Sequence, residues 1–150
     1  MYLSLLWEIL IGFILAIFIY NVVHHFFITR PADLGYEAST KILDRIVKKQ
    51  IDRKKAHLIK RRDLSEVWER NIYVYEYIIE YADDIYSNQS FINDLKNNIN
   101  KLNEGKEYNH KIVVTDSFVL HNKIHVDLAY LLNSATYEYV LDMRKVNNIK

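Results

Sequence analysis

From Leu3 to Val23 the chain carries a single charged side chain, Glu8, and FFI at 26–28 prolongs the apolar character. At ~1.5 Å rise per residue, about twenty residues in a helix cross the ~30 Å hydrocarbon layer of a bilayer. That run constrains everything else. It predicts a membrane-spanning helix over residues 1–28 and leaves about 120 residues to build a core of their own. A cleaved signal peptide would want a positive flank before the apolar run and small residues at its end. No Lys or Arg precedes the run, and Asn21-Val22-Val23-His24-His25 follows it, so a retained anchor is the expectation.

Within the anchor, Glu8, Gly12, Ala16 and Tyr20 recur at steps of four and form one helical stripe. Small residues four apart let a second helix approach closely, and a carboxyl on the same stripe favours a protein-facing surface. The expectation is a helix–helix contact within the membrane through these four residues.

Charge is distributed unevenly along the chain, although the net is only +1. Residues 28–62 hold eleven Lys/Arg against four Asp/Glu, a net of +7, and residues 63–150 come to −5. Cations close behind an apolar segment with an uncharged N-terminal flank predict an N-out anchor. The C-terminal domain then lies in the bacterial cytoplasm or the mitochondrial matrix. Pro31 is expected to end the anchor, and residues 29–62 read as the linker TRPADLG followed by a basic juxtamembrane helix from about Tyr36 to Lys60. Lys41, Arg45, Lys48, Lys49, Arg53, Lys54, Lys55, Lys60, Arg61 and Arg62 form a surface for anionic lipid headgroups or an acidic partner protein. Nucleic acid is disfavoured, because stacking aromatics do not interleave with these cations.

Residues 63–150 read as a mainly α domain, giving an anchor followed by about four helices. One helix is expected from Asp63, with Glu66 three residues on and Leu64, Trp68, Ile72, Tyr75, Ile79, Ala82 and Tyr86 as its stripe. IYVYEYI is also rich in strand formers, which makes a local strand the lesser alternative. A further helix is expected from Ser90, carrying Ile92, Leu95, Ile99 and Leu102 and stopped by Gly105. IVV at 112–114 can form a short extended piece. The last helix is expected from Thr115 to Val146, on the stripe Ile124, Leu128, Leu132, Ala135, Tyr139, Met143 and Val146, with a bend at Asn133–Ser134. Helical period leaves Tyr73, Tyr77 and Tyr81 off the buried stripe, and they are expected at a protein interface. Tyr75 and Tyr86 are expected to pack inside.

Chemistry is sparsely marked. The chain has no cysteine, which excludes disulfides, thiolate catalysis and Cys-ligated metals. It shows no Gly-rich phosphate loop and no nucleophile motif. His121 and His125, four apart on an expected helix, are weak candidates for a metal site lacking a third ligand. The reading favours no cofactor, no catalytic residues and other membrane subunits as partners, making the chain a non-catalytic accessory, assembly or structural subunit. The alternatives are a membrane-tethered regulator acting alone or as a homo-oligomer, and a small metal-dependent enzyme using His121 and His125.

Overall fold

The computed structural model describes residues 2–65 and 71–148, with side chains at 5–65 and 71–146. Residues 1–36 and 37–150 form two separate compact units. Trp68 and Glu66, assigned to a helix by their spacing, lie outside the described residues.

The first unit is helical. Helix α1 (Tyr2–His24) runs into a π-helical turn at His25–Thr29 and then into α2 (Arg30–Lys54), which from Glu37 on belongs to the second unit. This helix is long and apolar enough near the N-terminus to cross a membrane. Pro31 does not end the helix as expected. Proline lacks an N–H and its ring crowds the carbonyl four residues back, and a π-turn just before it widens the ladder where the clash would fall.

The second unit corrects the mainly α, four-helix expectation. It is a mixed α/β domain around a four-stranded antiparallel sheet in the order β1-β2-β4-β3. The strands are β1 (His57–Asp63), β2 (Val74–Glu80), β3 (Ile112–Leu120) and β4 (Lys123–Tyr130). Helix α3 (Ile85–Glu104) joins β2 to β3, and α4 (Ser134–Asn148) follows β4. The segment expected as a helix from Asp63 therefore supplies the end of β1 and all of β2. The segment expected as one helix from Thr115 to Val146 is a hairpin followed by a shorter helix.

Alternation along the strands divides the domain into two layers of packing. Tyr75, Tyr77 and Ile79 of β2, with Ile124, Val126 and Leu128 of β4, point to one face and are buried. Leu43, Ile46, Val47 and Ile51 of α2 and Phe91, Ile92, Leu95 and Ile99 of α3 cover that face. On the other face Val74 and Ala129 meet Val140 of α4. Because both faces are covered near Val74, β2 is apolar almost without interruption, and its period of two is masked.

Polar side chains fix the ends. Asp84, rather than Ser90, caps α3, its Oδ1 accepting from Ser87 N at 2.7 Å, and Gly105 ends it. Asn133 starts α4 instead of bending a longer helix: its Oδ1 accepts from Thr136 N at 2.9 Å. Thr136 Oγ1 in turn accepts from Tyr73 N at 2.9 Å, which joins α4 to the start of β2. Fully buried Asn88 spans Ala82, donating to its carbonyl at 2.8 Å and accepting from its N–H at 3.2 Å.

Candidate functional site

The basic residues singled out in the sequence are gathered on α2 and on the edge strand β1. Leu43, Ile46, Val47, Gln50 and Ile51 turn inward, so Lys41, Arg45, Lys48, Lys49 and Arg53 stand on the exposed side of α2. Lys55, at φ 56°, opens the turn into β1, which presents Lys60, Arg61 and Arg62. Three of the ten cations are paired. Lys54 meets Asp94 at 2.5 Å, Arg61 meets Asp44 at 2.6 Å and Arg62 meets Glu76 at 3.3 Å. The other seven make no ion pair among the described residues.

Between α2 and the β1 edge lies an open, largely apolar groove of about 350 Å³, lined by Asp44, Val47, Lys48, Ile51, Leu58 and Tyr77. Its polar wall is hydrogen-bonded. Tyr77 Oη donates to Asp44 Oδ1 at 2.8 Å, and the Arg61 guanidinium lies 5.7 Å from the centre of the Tyr75 ring. Ser39 Oγ and Tyr75 Oη are 2.9 Å apart. Burial, together with the bond to Asp44, holds the Tyr77 hydroxyl far above the usual tyrosine range, so it serves as a neutral donor. Leu58 and Ile59 are half exposed beside the groove, on a strand whose outer edge pairs with no other strand among the described residues.

The uncovered part of the sheet's second face carries another polar group. Glu76 Oε1 lies 2.8 Å from His125 Nδ1, and the His125 ring stacks on Phe118 with centroids 4.8 Å apart and planes 7° apart. Asp127 and Asp116 face each other across β4 and β3. Burial and the neighbouring carboxylates of Glu76 and Asp116 raise the Asp127 carboxyl to about 7. Tyr139 of α4, beside these acids, is pushed up to about 12, chiefly by burial.

Several expected sites change in this light. His121 and His125 do not share a helix face. His121 (φ 49°) and Asn122 (φ 59°) form the two-residue turn between β3 and β4, while His125 sits on β4 and is engaged by Glu76. Two successive left-handed residues define the type I′ hairpin turn, whose twist suits antiparallel strands. Among the described residues no group of three His, Asp or Glu side chains is placed to hold a metal ion. Tyr73, just ahead of β2, and Tyr77 are buried rather than outward-facing, Tyr77 because it shares with Tyr75 and Ile79 the face of β2 that points into the core. Tyr81 is half-buried, its ring 5.3 Å from that of Phe91. Tyr86, expected inside, is 85% exposed at the start of α3.

On α1, Glu8, Gly12, Ala16 and Tyr20 are all exposed, and a side chain at Gly12 would meet nothing within 4 Å. Tyr20 lies 5.7 Å from His24, ring to ring. The groove beside β1 and the Glu76–His125 pair carried no signal of their own in the sequence, since both depend on strand pairing. No protein-family model, curated protein or solved structure matches the chain.

Proposed function

We propose that the chain is a non-catalytic, single-pass membrane subunit whose α/β domain docks partner proteins of a larger membrane complex. The carrying observation is the basic surface: seven cations of α2 and the β1 region that make no ion pair among the described residues. Cations that near in sequence to an apolar helix orient the domain to the cytoplasmic or matrix side and attract anionic headgroups. The groove beside β1 and the half-exposed Leu58 and Ile59 give the docking surface its apolar part. In the bilayer, Glu8, Gly12, Ala16 and Tyr20 contact a partner helix, with close approach at Gly12 and Ala16 and a polar contact from Glu8.

Native purification of the full chain in mild detergent tests this reading. Defined membrane proteins should co-purify, and Gly12→Leu should release them by blocking close approach. Unchanged co-purification of the Gly12→Leu chain would remove the stripe from the interface. A chain that purifies alone, or crosslinked only to itself, would favour the tethered regulator or homo-oligomer instead.

A further inference from the structure

We propose that the cleft over the β3 edge, on the side of the domain away from β1, binds a phosphate ester of nucleotide size. The first chamber, of about 350 Å³, is bounded by Lys96 and Asn100 of α3, Lys111 and the start of β3, and Arg144 of α4. A second chamber, of about 390 Å³, adjoins it through Asn103 and Lys111 and adds Lys106, Tyr108 and His110. Each is of the size that holds a small ligand, about 300–1,000 Å³.

Charge distinguishes this cleft from the rest of its surroundings. Residues 63–150 carry fourteen Asp/Glu against nine Lys/Arg, yet among the described residues four cations and no carboxylate line these chambers. Lys96, Lys106, Lys111 and Arg144 make no ion pair among the described residues. They come from α3, from the loop after it and from α4, so the fold, not the local sequence, assembles them. Cations held together without counter-charges repel one another, and a bound anion relieves that cost. A phosphate's several oxygens match Lys96, Lys111 and Arg144 with the Asn100 amide beside them.

The frame of the cleft is fixed. Asn103 Nδ2 donates to Ile112 O at 2.7 Å and its Oδ1 accepts from Ile112 N at 2.9 Å, fastening the end of α3 to β3. Leu131 N donates to Lys111 O at 2.9 Å and anchors the cation common to both chambers. His110 packs edge-on against Tyr130, with centroids 5.6 Å apart. Tyr108 and His110 thus offer ring surface for a planar group in the second chamber, while the phosphate occupies the first. A polymer groove carries a row of stacking aromatics, and these two rings suit a single nucleotide.

Titration calorimetry on the full chain in dodecyl maltoside, at low salt, tests the site with ATP and with inorganic pyrophosphate. Saturable one-to-one binding of both is expected, weakened about tenfold by Lys111→Glu and by Arg144→Glu. Lys101→Glu, exposed on α3 outside the cleft lining, should leave affinity unchanged. Tyr108→Ala should weaken ATP and spare pyrophosphate. Thermal unfolding of each variant confirms that it is folded. No saturable binding of either probe would overturn the proposal, as would equal binding by the Lys111→Glu chain. Binding of single-stranded RNA or an acidic peptide in place of ATP would overturn it too.

Discussion

Glu76 and His125 meet on the outer side of the sheet, Oε1 2.8 Å from Nδ1, as a diagonal pair two register positions apart across β2 and β4. The same glutamate takes Arg62 of β1 at 3.3 Å, so one carboxylate links three adjacent strands. Its neighbour across the ladder is Asp127, with Asp116 beyond it on β3. Three acids share one face, and with Arg62 and the His125 ring both engaged by Glu76, Asp127 is the least compensated.

That position gives a pH dependence with a definite sign. The folded state holds the Asp127 proton up to about 7, whereas an unfolded aspartate loses it near ~3.9. Its stabilising contribution is therefore complete below ~3.9 and is lost as pH rises through about 7. Asp127→Asn, with Glu76, His125, Asp116 and Tyr139 still in place, should flatten the fall in stability between pH 5 and 8. At pH 8 it should be more stable than the parent by about 1–2 kcal/mol, less than the full shift implies because Asp127 is only half-buried. Urea midpoints at the two pH values check this, and equal slopes for parent and variant would refute it.

Gln50 is fully buried on α2, and neither its Oε1 nor its Nε2 has a hydrogen-bond partner among the described residues. Two unsatisfied polar atoms in a core cost more than an unbranched apolar side chain of similar length. Gln50→Met should raise stability by about 1–2 kcal/mol, read as an upward shift in the denaturation midpoint. A lower midpoint would count against the unsatisfied state of this amide.

Asp44 serves two donors, the Tyr77 hydroxyl and the Arg61 guanidinium. Asp44→Ala strands the buried hydroxyl and should cost about 2 kcal/mol, while Tyr77→Phe removes one bond and should cost about 1 kcal/mol. In the double variant no buried donor is left without its acceptor, so the losses should fall short of additive, a coupling that a double-mutant cycle measures directly.

Asn103 makes both of its bonds to the backbone of Ile112. Asn103→Ala leaves a buried residue's N–H and C=O without those partners, and a loss of about 2 kcal/mol is expected by urea denaturation. Retained stability would show that the α3–β3 junction is held by packing alone.

Orientation has a direct test because the chain lacks cysteine. Ser90→Cys, exposed on α3, should react with a membrane-impermeant maleimide only after the membrane is opened. With Lys41, Arg45, Lys48 and Lys49 replaced by Gln, a fraction of chains should insert in the opposite sense. Full labelling of the Ser90→Cys chain with its four cations intact, in intact cells, would reverse the proposed topology.

The apolar N-terminal helix, the basic stretch behind it and the apolar stripe of α3 were legible residue by residue. Each is decided locally: by length and hydropathy, by charge order, and by a helical period that Leu95, Ile99 and Gly105 keep intact. Strands were not. Val74 to Ile79 is buried on both faces except at Glu76, so its spacing satisfies a helical stripe as well as a strand. Ile124 and Leu128 are four apart and fit a helix, yet in β4 they share a face because four is also a multiple of two. His121 and Asn122 could have announced the hairpin, but without a glycine the turn was masked by the histidine spacing. Sequence by itself determined the membrane-length helix and the charge asymmetry, because these follow from composition along a short run. Only the tertiary structure decided the sheet, the Glu76–His125 pair and the cleft of Lys96, Lys111 and Arg144, because pairing between distant strands selects which residues share a face.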